Sequence, residues 1–285
     1  MALSADALEA LNQRRRAYDG KGALVALQPS LVAEPTLANG VPVEITVDSA
    51  AQTDITIFYA HGGGGSLGSI DSHRGLVGLL GMAARARTIS VGYRLAPEHV
   101  FPAGLEDVYT AYRWLIESGT AVVKLVVAGD SAGCTFILST LMQARADGLP
   151  MPAAAVLLSP MVDQTAEAET MDLKAGEDRL VTREGRKASS AMFIGNTDRR
   201  DPRLSPLFGD FMGLPPLYIQ VGTAECLLDD ALFLARNAML ANVEVHLEGW
   251  PNMQHVWHLE TQTVPEAAVA IEAAGLFIRD RLSRS

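Results

Sequence analysis

The sequence predicts an α/β fold in one domain, a mostly parallel central sheet with helices on both faces. Three observations carry this. Short β-branched runs alternate with longer helical patterns from about residue 55 onward, the rhythm of strand–helix–strand units. The runs at 125–127, 155–158 and 217–221 are largely apolar, as strands buried on both faces must be. A chain of 285 residues, 48% hydrophobic and 20% charged, can bury a core of this kind without covalent staples.

In chain order, an amphipathic helix near residues 5–18 is followed by irregular chain to about residue 40. Strands at 43–47 and 55–59 lie close together with no helix between them and read as an antiparallel start to the sheet. A strand at 88–91, a helix at 104–117, a strand at 125–127, a helix at 132–146 and a strand at 155–158 follow. Residues 163–201 break the rhythm. Of these 39 residues 16 are charged, and few strand-like runs occur, so the segment reads as a helical excursion anchored by Met192, Phe193 and Ile194. The pattern then resumes with a strand at 217–221, a helix at 227–241, a strand at 243–247 and a helix at 265–282. No internal repeat or low-complexity tract is present.

The charge balance is acidic, 33 Asp plus Glu against 23 Lys plus Arg, for a net of −10. This disfavours nucleic acid and anionic membranes as partners. The only basic run is Arg14-Arg15-Arg16. With Leu8 and Leu11 on the other face of the helix, it reads as a solvated face. The two cysteines, Cys134 and Cys226, fit free thiols of a reducing compartment. The first residues lack a basic stretch followed by an apolar core, and no apolar run is long enough for a bilayer. A cytoplasmic enzyme is expected.

The motif G-x-S-x-G occurs twice, at Gly129-Asp130-Ser131-Ala132-Gly133 and at Gly64-Gly65-Ser66-Leu67-Gly68. A nucleophile elbow must follow a buried strand and open a helix, so that the strained turn lifts the serine oxygen above the sheet edge. Ser131 has both neighbours. Ser66 follows a glycine run with no strand directly before it. His61-Gly62-Gly63-Gly64 follows the 55–59 strand, and glycines let backbone N–H groups approach a developing oxyanion. A further N–H should come from Ala132. The P-loop lysine and hydroxyl residue are missing, which argues against a phosphate cradle. His61 itself is expected to hold the loop.

The expected order for such a site is serine, acid, histidine. Of the histidines after Ser131, His246 falls in a strand, and His255 falls in the loop before the last helix, where a general base is needed. His258 is the weaker candidate. A zinc site on His255 and His258 lacks a third ligand, so no metal and no cofactor are expected. Glu225, just past the 217–221 strand, is the preferred acid. Asp229 is second, since it and Asp230 fall in a first helical turn where carboxylates also counter the helix dipole.

Together these residues resemble the bacterial hormone-sensitive-lipase-like esterases. Beyond the two glycine motifs, Tyr93-Arg94-Leu95-Ala96-Pro97-Glu98-His99 with Phe101-Pro102-Ala103, and Asp201-Pro202-Arg203-Leu204-Ser205-Pro206, are similar to stretches of that family. The resemblance runs from about residue 55 to 258 and implies the α/β-hydrolase fold. It also implies a cap made from residues of about 1–40 and 163–201, and oxyanion donors at Gly63, Gly64 and Ala132. Within the family the sequence looks most like the branch with monoterpene lactone hydrolases and small-ester esterases. It departs from the family at Gly65, where a bulky residue is usual, at Cys134, where glycine is usual, and at Glu225, where many relatives carry Asp. Gly65 and Cys134 are therefore expected to shape the substrate pocket.

The leading expectation is a serine carboxylesterase or lactone hydrolase with the triad Ser131, Glu225 and His255, acting on a small-molecule ester or lactone. A homodimer is left open. The competing readings are an amidase or acyltransferase using the same triad, and a non-catalytic small-molecule receptor on the same fold. Receptor relatives lack the catalytic histidine, which His255 supplies here.

Overall fold

The computed structural model describes residues 4–22, 25, 27–48 and 52–283. The elements run α1 (Ala5–Gly22), β1 (Leu31–Ala38), β2 (Val41–Asp48), β3 (Gln52–Ala60), α2 (Ile70–Ala84), β4 (Ala86–Val91), α3 (Ala103–Glu117), β5 (Leu125–Asp130) and α4 (Ala132–Ala146). They continue with β6 (Ala154–Leu158), α5 (Thr170–Leu173), α6 (Arg183–Phe193), β7 (Leu217–Gly222), α7 (Leu228–Leu240), β8 (Val245–Trp250) and α8 (Pro265–Ser283). All eight strands form one sheet in the order β1-β2-β4-β3-β5-β6-β7-β8.

The two-residue period of the strands divides the core into two layers. Phe58, Leu125, Val127, Leu157 and Ile219 face α3, α4 and α7. Ile57, Tyr59, Val126, Ala128, Val156 and Tyr218 face α2 and α8. The six strands β3 to β8 run parallel to one another, so their carboxyl ends share one edge, where α/β folds gather their ligand-binding loops.

Three expectations are corrected here. The irregular chain expected up to residue 40 includes β1, which pairs antiparallel with β2 from Leu31 to Ala38. The excursion before the sheet therefore ends earlier. Pro35 sits mid-strand and is tolerated because β1 is an edge. The part of the 1–40 expectation on residues 1–3, 23, 24 and 26 lies outside the described residues. The antiparallel start is real, but its partners differ. β2 pairs with β1 and β4, not with β3, because β4 inserts between them. The last correction concerns α2, which the sequence analysis leaves unassigned. Gly75, Gly78 and Gly81 dilute its helical signal, while Ser69 and Ser72 form a reciprocal capping box at its start.

Among the described residues no helix is long and apolar enough to cross a membrane.

Candidate active site

Three sheet-edge turns bring the expected residues together. Ser131 joins β5 to α4 with φ 49° and ψ −121°, a strained conformation for a residue with a side chain. The turn can be this sharp because α4 starts against the end of β3. A Cβ on Gly133 would stand 2.0 Å from the carbonyl oxygen of Ala60. The backbone N–H of Ser131 donates to Leu158 at 2.9 Å, tying the elbow to β6.

Glu225 follows β7 and is fully buried. Its Oε1 accepts the N–H of Gly222 at 2.6 Å and the hydroxyl of Ser159 at 2.7 Å. Its Oε2 lies 2.8 Å from Nδ1 of His255, whose Nε2 lies 2.8 Å from Oγ of Ser131. With its proton on Nδ1, the ring donates to Glu225 and accepts the serine hydroxyl. Next to His255, Val256 is left-handed at φ 48°, and its N–H donates to Ser159 Oγ at 3.1 Å. Ser159 thus locks the acid and the histidine loop together. Burial works against a charged His255. The Glu225 hydrogen bond and the negative charges of Glu225, Asp178 and Asp130 outweigh it and hold the His255 pKa above its ordinary value.

The glycine loop after β3 completes the arrangement. Gly63, Gly64 and Gly65 are all left-handed, a run that side chains resist. Each carbonyl from Gly63 to Ser66 accepts a hydrogen bond: Gly63 from the N–H of Ser66 and Leu67, Gly64 from Ser189 Oγ, Gly65 from the N–H of Ala96, Ser66 from Arg15 Nε. The N–H groups of Gly63, Gly64 and Ala132 have no acceptor among the described residues. For Ala132, the first residue of α4, this is the normal state of a helix N-terminus.

A family model described as alpha/beta hydrolase fold matches residues 57–259. The chain is 42% identical over 233 residues to an acetyl-hydrolase of Streptomyces hygroscopicus, covering 82% of this chain and 78% of that protein. It is 32% identical over 261 residues to an esterase of Acinetobacter venetianus, covering 91% and 86%. A solved esterase of the bacterial hormone-sensitive lipase family superimposes with a TM-score of 0.93 at 38% identity, covering 95% of this chain and 92% of that one. The chain belongs to that family of alpha/beta hydrolases.

The other candidates in this alpha/beta hydrolase lie elsewhere. His258 is fully buried, with Nε2 2.9 Å from Gln220 Oε1, and burial pushes its pKa down to about 3. It and His255 share no partner. His246 is exposed on β8 beside Glu248. Asp229 accepts the N–H of Thr170 at 3.0 Å, and Asp230 accepts those of Val162 and Asp163. Ser66 is buried in the glycine loop.

One pocket assignment, that of Cys134, is corrected. Cys134 is fully enclosed, and its thiol donates to the carbonyl of Gly129 at 3.1 Å, so it offers no surface to a substrate. Gly65 faces α6. A Cβ there would stand 2.6 Å from the ring of Phe193 in α6, so an aromatic side chain from the excursion fills the place of the missing bulky residue.

Sequence reasoning missed three supports of this alpha/beta hydrolase's site. Asp130 is fully buried and accepts Tyr59 Oη at 2.8 Å and the N–H of Gly62 at 2.9 Å through one oxygen, with His73 Nε2 3.3 Å from the other. Ser159 is the second. The third is Arg15. Arg14 and Arg16 are exposed as a solvated run requires, but Arg15 is turned into the body of the protein. His61 packs as expected, stacked on Tyr93 with ring centres 4.2 Å apart, and Tyr93 Oη donates to its carbonyl.

Proposed function

We propose that this alpha/beta hydrolase cleaves small carboxylic esters, acetyl and other short acyl esters first among them, through an acyl-enzyme formed on Ser131. The observation that carries the reading is the unbroken hydrogen-bonded chain Ser131–His255–Glu225 beside three free backbone donors. In this reading Ser131 Oγ attacks the ester carbonyl carbon as its proton passes to His255 Nε2. The N–H groups of Gly63, Gly64 and Ala132 receive the oxyanion. The carbon–oxygen bond to the alcohol then breaks, and the imidazolium protonates the leaving oxygen. A water gives its proton to His255 and attacks the acyl carbon, releasing the acid and restoring Ser131. Glu225 holds the ring in the working tautomer and stabilises its charged form.

Two features favour short acyl groups. Phe193 occupies the space beside the oxyanion loop, which leaves less room there for a branched acyl chain or a lactone ring. The Streptomyces relative is named as an acetyl-hydrolase. The helix α1 and the segment carrying α5 and α6 act in this reading as a cap over the serine, since both bond the glycine loop.

The test compares the wild type and Ser131→Ala on p-nitrophenyl acetate, butyrate and decanoate, on p-nitroacetanilide and on ε-caprolactone. The wild type should turn over acetate and butyrate fastest, and Ser131→Ala should lose several orders of magnitude. Faster anilide than ester cleavage would point to an amidase. Binding without turnover would point to a receptor, and undiminished turnover by Ser131→Ala would remove the serine from the mechanism.

A further inference from the structure

Arg15 spends four of its five donors on the loops beside the site. A guanidinium has five N–H groups in a rigid fork, and the contacts of Arg15 account for all of them. Nε donates to the carbonyl of Ser66 at 2.9 Å. One terminal nitrogen donates to Asn12 Oδ1 at 3.2 Å and Glu98 Oε1 at 2.7 Å. The other donates to the carbonyl of Ala96 at 2.8 Å and Glu98 Oε2 at 2.8 Å. The pairing with Glu98 is bidentate, and it holds that carboxyl below its ordinary range.

These contacts lead to the oxyanion glycines by two short routes. The Ser66 peptide that gives its carbonyl to Arg15 gives its N–H to the carbonyl of Gly63 at 3.2 Å. Ala96, whose carbonyl Arg15 also takes, gives its N–H to the carbonyl of Gly65 at 2.9 Å. The two free N–H groups of the loop, those of Gly63 and Gly64, lie directly before these anchored carbonyls, the Gly64 N–H in the same peptide as the Gly63 carbonyl. A second anchor from the same helix follows one turn later. Ser69, the N-cap of α2, donates its hydroxyl to Asp19 Oδ1 at 2.6 Å. Leu11 is buried on the same helix. A glycine run has no side chains of its own to fix its conformation, so the fixing has to come from neighbours.

We propose that Arg15 is a positioning residue for the oxyanion hole, setting the direction of the Gly63 and Gly64 N–H groups by clamping the stretch of loop that follows them. The proposal rests on the esterase reading above and adds a catalytic task to a helix that otherwise serves only as cover. Lysine cannot substitute, because an ammonium has three donors on a point charge and no planar fork.

The experiment measures kcat and KM for p-nitrophenyl acetate, and the inhibition constant of a short alkyl trifluoromethyl ketone, in the wild type, Arg15→Ala and Arg15→Lys. The ketone adds to the active serine as a tetrahedral oxyanion, so its affinity reports the hole and not the ground state. A misaligned catalytic geometry of this kind costs about 10- to 100-fold. Arg15→Ala should lose roughly that in kcat with KM nearly unchanged, and ketone affinity should fall by the same factor as kcat/KM. Millimolar guanidinium chloride should restore part of the rate, and sodium chloride at equal ionic strength should not. Arg15→Lys should lose nearly as much, and it decides the matter if Arg15→Ala does not fold. If kcat and ketone affinity hold in a folded variant while only Tm falls, Arg15 merely fastens α1 and the proposal is wrong. A rise in KM alone overturns it equally. Ser131→Ala run in parallel keeps the parent reading separate: its failure to lose activity would condemn the esterase mechanism, whatever Arg15 does.

Discussion

Asp130 and Gly62 are joined by a 2.9 Å hydrogen bond from the backbone N–H of the glycine to Oδ1 of the carboxylate. The residue immediately before the elbow serine therefore holds the first glycine of the oxyanion loop. The two halves of the site, one from β5 and one from β3, are set against each other by a fully buried side chain.

That bond makes a contrast between two substitutions informative. The oxygen that takes Gly62 also takes Tyr59 Oη, so Asp130→Asn can keep both bonds with its amide oxygen and lose only the charge and the contact to His73. Asp130→Ala leaves two buried donors unpaired, at about 1–3 kcal/mol each. Asp130→Asn should keep kcat within roughly tenfold of wild type. Asp130→Ala should lose far more and melt lower, by differential scanning fluorimetry alongside p-nitrophenyl acetate assays. Equal damage from both would mean that the negative charge, not the hydrogen bond to the loop, is what matters.

Acid stability gives a second reading on Asp130. Burial disfavours its ionised form, but the charge and hydrogen bond of His73 and the hydroxyl of Tyr59 outweigh this and leave the carboxyl below its ordinary value. A carboxyl depressed in the folded state contributes stability above its unfolded pKa of about 3.9 and loses it as pH falls through the folded value. Urea midpoints measured from pH 6 down to pH 3 should fall less steeply in Asp130→Asn than in the wild type. Parallel curves would assign the acid sensitivity to other groups.

The acid limb of the rate profile tests Glu225. His255 must be neutral to take the serine proton, and its pKa is raised. Wild-type kcat/KM should therefore fall on acidification with a midpoint above the ordinary histidine value of about 6.5. Glu225→Gln removes the charge and the favourable hydrogen bond, so the midpoint should move down while kcat drops by up to about 10⁴. Asp229→Asn disturbs a contact to Thr170 and should leave the midpoint in place. A midpoint that moves with Asp229 and not with Glu225 would transfer the role of acid.

What the sequence discloses and what it hides follows a physical line. Buried parallel strands and the strand–Ser131–helix elbow announce themselves, because burial on both faces and a strained turn each demand particular residues in a row. α2 hides behind Gly75, Gly78 and Gly81, which lower helical propensity. β1 hides behind Pro35 and an edge position. Arg15 reads as one third of a basic run, since its neighbours are solvated and nothing local distinguishes it. The meaning of Gly65 depends on Phe193, far along the chain, and only three-dimensional packing brings the two together.

Gly65 and Phe193 allow the most discriminating test. Two effects oppose a side chain at position 65: the backbone is left-handed, at φ 75°, and the Phe193 ring stands 2.6 Å from where the Cβ would be. The first persists whatever faces the glycine. The second disappears when the ring is removed. Phe193→Ala alone will destabilise the protein, by about 3–5 kcal/mol for a buried aromatic, so Phe193→Leu is the companion variant. Opening this wall should favour branched over acetyl esters by roughly 10- to 200-fold in relative kcat/KM. Gly65→Ala in the wild type should damage both stability and acetate turnover. In the Phe193→Ala background the same change should cost less, giving a coupling of about 0.5–3 kcal/mol in a double-mutant cycle. Urea denaturation of the four proteins, with kcat/KM on p-nitrophenyl acetate and a branched ester, measures it. Zero coupling would mean that the glycine is there only for its φ. A positive coupling, with the specificity shift confined to the Phe193 variants, would mean that the excursion helix supplies the acyl wall.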